Sequence, residues 1–370
     1  MLHTITPLIS SQNLVNSPIL LCVNLKAIAN NYLKIKAIVG GVNVAAVVKA
    51  DSYGIGATEI AKTLQEVGCN DFAVVHVDEG VALRAILPQA NIYLFLGFIL
   101  GTEDLIKEHN LTPILNSKDQ LLKWREVARD HPAIIQFDTG MKRNGFDEYE
   151  TEFLINNQEL LEGMNIKYYM SHLTASEDSS SPSNEAQKNY FDDITSKLPD
   201  KPKTFANSGG VFLGQDYHYQ MVRPGIALYG GNPSQKFSEN PMENVIFLYA
   251  KILEIHIHKN GAVGYNGTHS LVRNTRIATI AIGYADGYLR HFSNKSYVMI
   301  AGYKANILGR VSMDFITVDV TDIPEELAHV GGYAEIIGNH ITIDDLANMS
   351  GTVSYEVITN LGNRFKKLYV

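Results

Sequence analysis

The chain has 370 residues, too many for one small domain and enough for two. Hydrophobic residues make up 45% and charged residues 19%, an ordinary globular balance, and the formal net charge of −8 excludes the basic face that general nucleic-acid binding needs. Two cysteines, Cys22 and Cys69, sit in or beside apolar runs without metal-ligand spacing. We therefore expect buried, reduced thiols in a cytoplasmic protein, and no metal site.

The first 25 residues carry neither a basic start nor a long apolar core, so no signal peptide is expected. No run approaches the length of a membrane span, and no membrane partner is expected. The apolar run 19–25 reads as a strand. Next comes VNVAAVVKADSYGIGA, residues 42–57. Its apolar part reads as a strand buried on both faces, ending at Lys49 before a turn that holds Tyr53, Gly54 and Gly56. A lysine at such an end loses hydration, its pKa falls, and the free amine can form a Schiff base with a carbonyl. Taken alone, the same lysine could simply mark where the strand meets water.

Seven further short apolar runs follow, at 72–77, 92–97, 112–115, 134–138, 167–172, 204–207 and 219–223. Helical patterns lie between them, as at 57–67, 78–87, 118–129 and 184–198. Strand–helix alternation implies parallel strands, and eight units predict a closed (β/α)8 barrel. A doubly wound open sheet is the alternative, but the early GxGxxG it would be expected to carry is absent. The segment EDSSSPSNEAQ, residues 177–187, reads as a surface loop.

After about residue 240 the chain becomes β-rich, with VIFLYAKILEIHIH, TRIATIAIGYADG, KSYVMIAGYKANILG and SMDFITVDV. Two short helices are expected around 343–349 and 353–362, the first capped by Thr342 or Asp344. The expected fold is thus α/β: a (β/α)8 barrel over residues 1–240 and a mostly-β domain over 241–370. Because eight strands already close a barrel, residues 1–25 are expected to pair with the C-terminal domain.

Chemistry in (β/α)8 barrels sits at the C-terminal ends of the strands, and unusual polar residues fall there repeatedly. After Lys49 come Arg143 in DTGMKRNG, His172 in SHLTA, Asn207 and Ser208 in FANSGG, and Arg223 in VRPGIALYG. Loops after the seventh and eighth strands, with a short helix near Gly225 and Ile226, form the usual phosphate site of this architecture. A phosphate site opposite a reactive lysine suggests pyridoxal 5′-phosphate, with Arg223 a candidate partner for its pyridine nitrogen. Singly, each residue has an ordinary structural reading: a satisfied core histidine, salt-bridging arginines, turn glycines, packing tyrosines. Their joint placement favours a site.

Together VVKADSYGIG, VRPGIALYG, IGYADGYLR and GRVSMDFITVD, in that order, resemble the alanine racemase family, fold-type III pyridoxal phosphate enzymes with a barrel and a C-terminal β domain. The likeness runs from about residue 21 to 365. It implies a homodimer that racemises alanine with two catalytic bases, supplying D-alanine for peptidoglycan. Lys49 would hold the cofactor and serve the D enantiomer, and Tyr265 of a second copy would serve the L enantiomer. Tyr53, Ser208, Gly225, Ile226 and Tyr355 match phosphate ligands, and His172, Asn207 and Arg223 match further cofactor contacts. Arg143 and the backbone of Met313 match substrate-carboxylate contacts, while Tyr284 and Tyr355 resemble a gate suited to a methyl side chain. Gln136, His172, Arg290 and Asp314 are expected to support these groups.

The chain departs from the pattern at Asp51 and Ser52, where Asn and Ala are more usual, and at Ser312, where Cys is frequent. At Gln136 it lacks the lysine, commonly carbamylated, that many members have; the amide is expected to hydrogen-bond Arg143. A broader amino-acid racemase is the nearest rival. A decarboxylase of the same fold would be expected to show an HxGSG-type loop, and a barrel-only cofactor carrier would lack the second domain.

Overall fold

The computed structural model describes residues 17–370, and the N-terminal expectations drawn from residues 1–16 lie outside the described residues. Two compact units emerge, Leu25–Glu243 and, separately, residues 17–24 together with Asn244–Val370.

In the first unit eight parallel strands close a barrel: β2 (Asn43–Val47), β3 (Asp71–Val74), β4 (Asn91–Leu94), β5 (Thr112–Leu115), β6 (Ala133–Gln136), β7 (Ile166–Met170), β8 (Lys203–Thr204) and β9 (Met221–Val222). Closure is made where Asn43 and Val44 of β2 pair with Met221 and Val222 of β9. This settles the expected architecture and excludes the open sheet. The helices around it are α1 (Leu25–Val39), α2 (Ala57–Glu66), α3 (Val77–Ile86), α4 (Glu103–Glu108), α5 (Lys118–Ala128), α6 (Glu148–Asn156) and α7 (Pro182–Ser196). The longer ones bury an apolar stripe at helical spacing, as Ile60, Ala61 and Leu64 do on α2. Ser117 and Asp147 cap α5 and α6 by accepting the Gln120 and Glu150 backbone N–H groups.

Two sequence expectations need correction here. The apolar run 42–50 suggests a strand reaching Lys49, but β2 stops at Val47. The Ser-rich segment 177–187 is only partly loop, because Pro182 at the first helical turn starts α7 and buries Asn184 and Gln187.

In the second unit β1 (Ile19–Val23) lies between two strands of the β domain. It pairs antiparallel with β10 (Ile246–His258) and parallel with β18 (Lys366–Tyr369), and all five of its residues are buried. The sheet also holds β13 (Thr275–Ile280), β14 (Tyr297–Ile300), β15 (Tyr303–Asn306), β16 (Ile316–Asp319) and β17 (Tyr333–Ile337). A separate two-stranded ribbon, β11 (Ala262–Val263) and β12 (His269–Ser270), carries Tyr265 in the turn between its strands. Helices α8 (Ile343–Ser350) and α9 (Ser354–Thr359) follow. Thr342, not Asp344, caps α8, accepting the Asp345 N–H at 3.0 Å while the Asp345 carboxylate accepts the Thr342 N–H in return. Among the described residues no helix is long and apolar enough to cross a membrane.

Candidate active site

Beyond β2 the chain does something the sequence did not announce. Ala50, Asp51, Ser52 and Tyr53 all take left-handed conformations, with φ of 52°, 53°, 51° and 58°. Such a conformation costs roughly 1–2 kcal/mol per residue outside glycine. Local hydrogen bonds hold the turn: Ser52 N to Val48 O at 3.0 Å, Gly54 N to Ala50 O at 2.7 Å and Gly56 N to Asp51 O at 2.9 Å. The Asp51 carboxylate accepts the Ala57 N–H at 2.7 Å, joining the turn to α2. The Glu79 carboxylate of α3 accepts the Ala50 N–H at 2.6 Å.

Lys49, partly buried, opens this turn with its Nζ 5.7 Å from the centre of the Phe95 ring. Burial pulls its amine below the ordinary lysine range, the Arg143 charge pulls it further, and Glu79 opposes both. Tyr53, at the end of the turn, stacks on buried Tyr229 with ring centres 4.6 Å apart.

Arg223 follows β9 and is buried, with no carboxylate partner among the described residues. Its guanidinium donates instead to Thr204 Oγ1 at 2.6 Å, Ser171 O at 2.7 Å and Phe205 O at 3.3 Å. Burial alone pushes it down to about 9, so it keeps its charge at neutral pH. Its Nη2 stands 3.4 Å from Nδ1 of His172. Burial, then Arg223, Arg143 and Lys49, push the His172 imidazole down to about 3. A neutral ring that faces a guanidinium with Nδ1 is an acceptor there and carries its proton on Nε2. One nitrogen of Arg223 is left over: Nε is buried and has no hydrogen-bond partner among the described residues.

Ser208 accepts the backbone N–H groups of Gly225 at 2.8 Å and Ala227 at 3.3 Å, which fold over it as the short 3-10 helix Ile226–Tyr229 begins. The Gly225 N–H is thus turned onto Ser208. Position 225 must be glycine, because a Cβ there would lie 2.2 Å from the Tyr53 hydroxyl. Asn207 shapes its own loop, accepting from Ser176 Oγ at 2.7 Å and Gly210 N at 3.0 Å.

Gln136, buried at the end of β6, donates to the Asn144 carbonyl at 2.9 Å. It thus grips the backbone one residue past Arg143, and among the described residues the expected hydrogen bond to the Arg143 side chain is not made. Asp138 holds the other side of that loop by accepting the Gly140 and Arg143 N–H groups at 2.9 and 3.0 Å.

The remaining predicted residues belong to the second unit. Tyr265 is 67% exposed. Tyr284 and Met313 lie on two loops zipped together, Tyr284 N donating to Ser312 O and Ala285 N to Met313 O, both at 3.0 Å. Gly283 permits this closeness, since a Cβ would stand 2.3 Å from the Met313 carbonyl. Asp314 pairs with Arg364 at 2.8 Å, and Arg364 reaches buried Asp286 at 2.9 Å. Arg290 lines a pocket of about 290 Å³ with His291, Ser293 and Arg310. Tyr355 stands in the first turn of α9.

Sequence reading missed Glu79, Thr204 and Gln187. Gln187 accepts the Thr174 N–H at 2.9 Å and donates to the His172 carbonyl at 3.0 Å and Thr139 Oγ1 at 3.2 Å, tying the loops after β6 and β7 to α7. An acidic residue three positions into a helix was a visible N-terminal signal for Glu79. Nothing in sequence marked its reach to the neighbouring strand's loop.

A barrel whose mouth gathers a desolvated amine, a buried arginine and a neutral histidine defines an enzyme equipped for amine–carbonyl chemistry. Two family descriptions match almost end to end: "Alanine racemase, N-terminal domain" over residues 23–233 and "Alanine racemase, C-terminal domain" over 245–369. The chain belongs to the alanine racemase family, and is a racemase. It is 44% identical to an alanine racemase of Rickettsia bellii over 332 residues, 88% of this chain and 81% of that protein. It is 40% identical to a catabolic alanine racemase of Agrobacterium fabrum, over 95% of this chain and 92% of that one. A Bartonella henselae alanine racemase crystallised with covalently bound pyridoxal phosphate superposes with a TM-score of 0.92 at 38% identity, covering 96% of this chain and all of that one.

Proposed function

We propose that this chain interconverts L- and D-alanine with pyridoxal 5′-phosphate, using Lys49 and a second copy's Tyr265 as the two bases. The observation that carries the reading is the desolvated amine of Lys49 on the same barrel mouth as the unpartnered Arg223 Nε–H. The residues fit the cofactor. Lys49 supplies the amine for its aldehyde, and Arg223 Nε–H is a buried donor suited to an unprotonated pyridine nitrogen. Tyr53, Ser208, Gly225 and Ile226, with Asn207 shaping the loop and Tyr355 assigned by resemblance, are the groups for the phosphate. The cofactor on the Bartonella relative supports the assignment.

Bound there, pyridoxal phosphate would draw electron density from the substrate's Cα–H bond and make that proton removable. Lys49, its amine lowered by burial, takes the proton from D-alanine on one face. The Tyr265 oxygen returns a proton on the opposite face, and the roles reverse for L-alanine. One base on each face is the minimum that inversion requires. Arg223 stays cationic and disfavours a proton on the ring nitrogen, while neutral His172 accepts from it and adds no second charge. Arg143 and the Met313 backbone hold the carboxylate, with Gln136 and Asp138 setting the Arg143 loop. By resemblance Tyr284 and Tyr355 narrow the entrance, Arg290 neighbours the tyrosine base, and Asp314 is a support that pairs with Arg364.

This reading makes the protein a cytoplasmic homodimer that supplies D-alanine for peptidoglycan. The relative named catabolic favours alanine breakdown as the competing role. Solvent deuterium exchange tests the two bases. In D2O the wild-type enzyme should deuterate Cα of both enantiomers, whereas Tyr265→Phe should lose exchange from L-alanine by about 10²-fold or more and retain it from D-alanine. Equal loss from both enantiomers would refute separate bases.

A further inference from the structure

We infer that Glu79 is a positioning residue for Lys49: its carboxylate ties the first peptide of the left-handed turn to the loop after β3 and so fixes where the Lys49 amine stands. The inference rests on the proposal that Lys49 carries the cofactor.

The geometry uses both oxygens. Oε2 accepts the Val75 and His76 N–H groups at 2.8 and 3.0 Å, which anchors the carboxylate at the head of α3. Oε1 then reaches the Ala50 N–H at 2.6 Å, the residue directly after Lys49 and the first of the four left-handed ones. Charge-assisted bonds of this kind are about twice as strong as neutral ones. A turn that is intrinsically unfavourable keeps its shape only where its surroundings over-determine it. The backbone bonds that close the turn join residues a few positions apart, whereas Glu79 joins it to a different barrel segment, 29 residues along the chain.

The charge has a second effect. The groups acting on the Lys49 amine are Arg143 from the loop after β6 and Glu79 from α3, and His172 after β7 in turn feels Lys49. Arg143 and burial both disfavour the ammonium, and Glu79 is the anion that restrains them. An amide at position 79 keeps the size but loses that anion, and it turns an NH2 group toward backbone donors.

Peptide-resolved reductive methylation of Lys49 across pH, in the protein stripped of cofactor, reads the amine directly. We expect the labelling midpoint to move down in Glu79→Gln, with affinity for pyridoxal phosphate about fivefold weaker or more and kcat reduced more than KM for alanine is raised. Glu79→Asp keeps the charge but shortens the reach, so its midpoint should stay near wild type while cofactor affinity falls. Should Glu79→Gln not fold, Glu79→Asp carries the test through cofactor affinity and the kcat–KM split. Cofactor affinity within twofold of wild type in either variant would overturn the proposal, as would an upward midpoint in Glu79→Gln, the mark of a turn that merely opened to water. A wild-type chain that neither binds the cofactor nor racemises alanine would instead refute the functional reading, because the labelling midpoints are measured without either.

Discussion

Gly225→Ala tests how closely the barrel mouth is packed. The added Cβ would lie 2.2 Å from the Tyr53 hydroxyl and 3.1 Å from its Cζ, where ordinary contact begins near 3.4 Å. Tyr53 must therefore retreat by about 1.2 Å, and little lets it. Its ring is buried against Tyr229, whose own hydroxyl donates to the Val47 carbonyl at 2.8 Å. Overpacking of a buried site costs about 1–3 kcal/mol, and a rigid ring pair places this one near 2 kcal/mol. For a unit of this size that is a Tm lower by about 4–8 °C. The assay is thermal denaturation of the cofactor-free wild type, Gly225→Ala, Tyr53→Phe and the double variant. Deleting the hydroxyl removes the worse overlap, so the double variant should recover about 1–2 kcal/mol relative to additivity. Additive effects within about 0.5 kcal/mol would refute the packing argument.

His172 makes stability acid-sensitive. Its folded pKa of about 3 lies below its ordinary value of 6.5, so the unfolded chain takes up a proton that the folded one refuses. Its contribution is complete above 6.5 and is lost as the pH falls toward 3, reaching about 2 kcal/mol by pH 5. Thermal denaturation of His172→Gln should show a flatter profile than wild type between pH 6.5 and 5; parallel profiles would contradict this. Gln136→Ala frees the Asn144 carbonyl and the Arg143 loop, a loss of about 1 kcal/mol that should raise KM for alanine about fivefold with kcat nearly unchanged. An unchanged KM would remove Gln136 from the site.

Much of the architecture was legible because it rests on local pattern. Eight apolar runs spaced by amphipathic helices admit few closures, and each run overlaps a barrel strand. The positions of His172 and Arg223 at strand ends followed from the same rule, and the structure places them 3.4 Å apart. What failed to show was whatever depended on a long-range hydrogen bond. VVK reads as the end of a strand, yet the backbone leaves β2 at Val47 and winds left-handed from Ala50, held partly by a carboxylate from α3. Gln136 was expected to accept from the Arg143 guanidinium, but the bond it makes runs from its own amide N–H to a backbone carbonyl brought close by the folding of the 137–146 loop.

Hydrophobic periodicity and a few invariant-sized contacts, such as Gly225 against Tyr53 and Gly283 against Met313, are properties each residue carries into the fold, and the sequence alone determined the barrel, the β domain and the family. Protonation and backbone strain are different in kind. The low pKa values of Lys49 and His172, the unpaired Arg223 Nε and the left-handed turn arise from burial and from neighbours that meet only after the chain has closed. Tertiary structure decided them, because desolvation and charge coupling depend on distances through space that residue order does not contain.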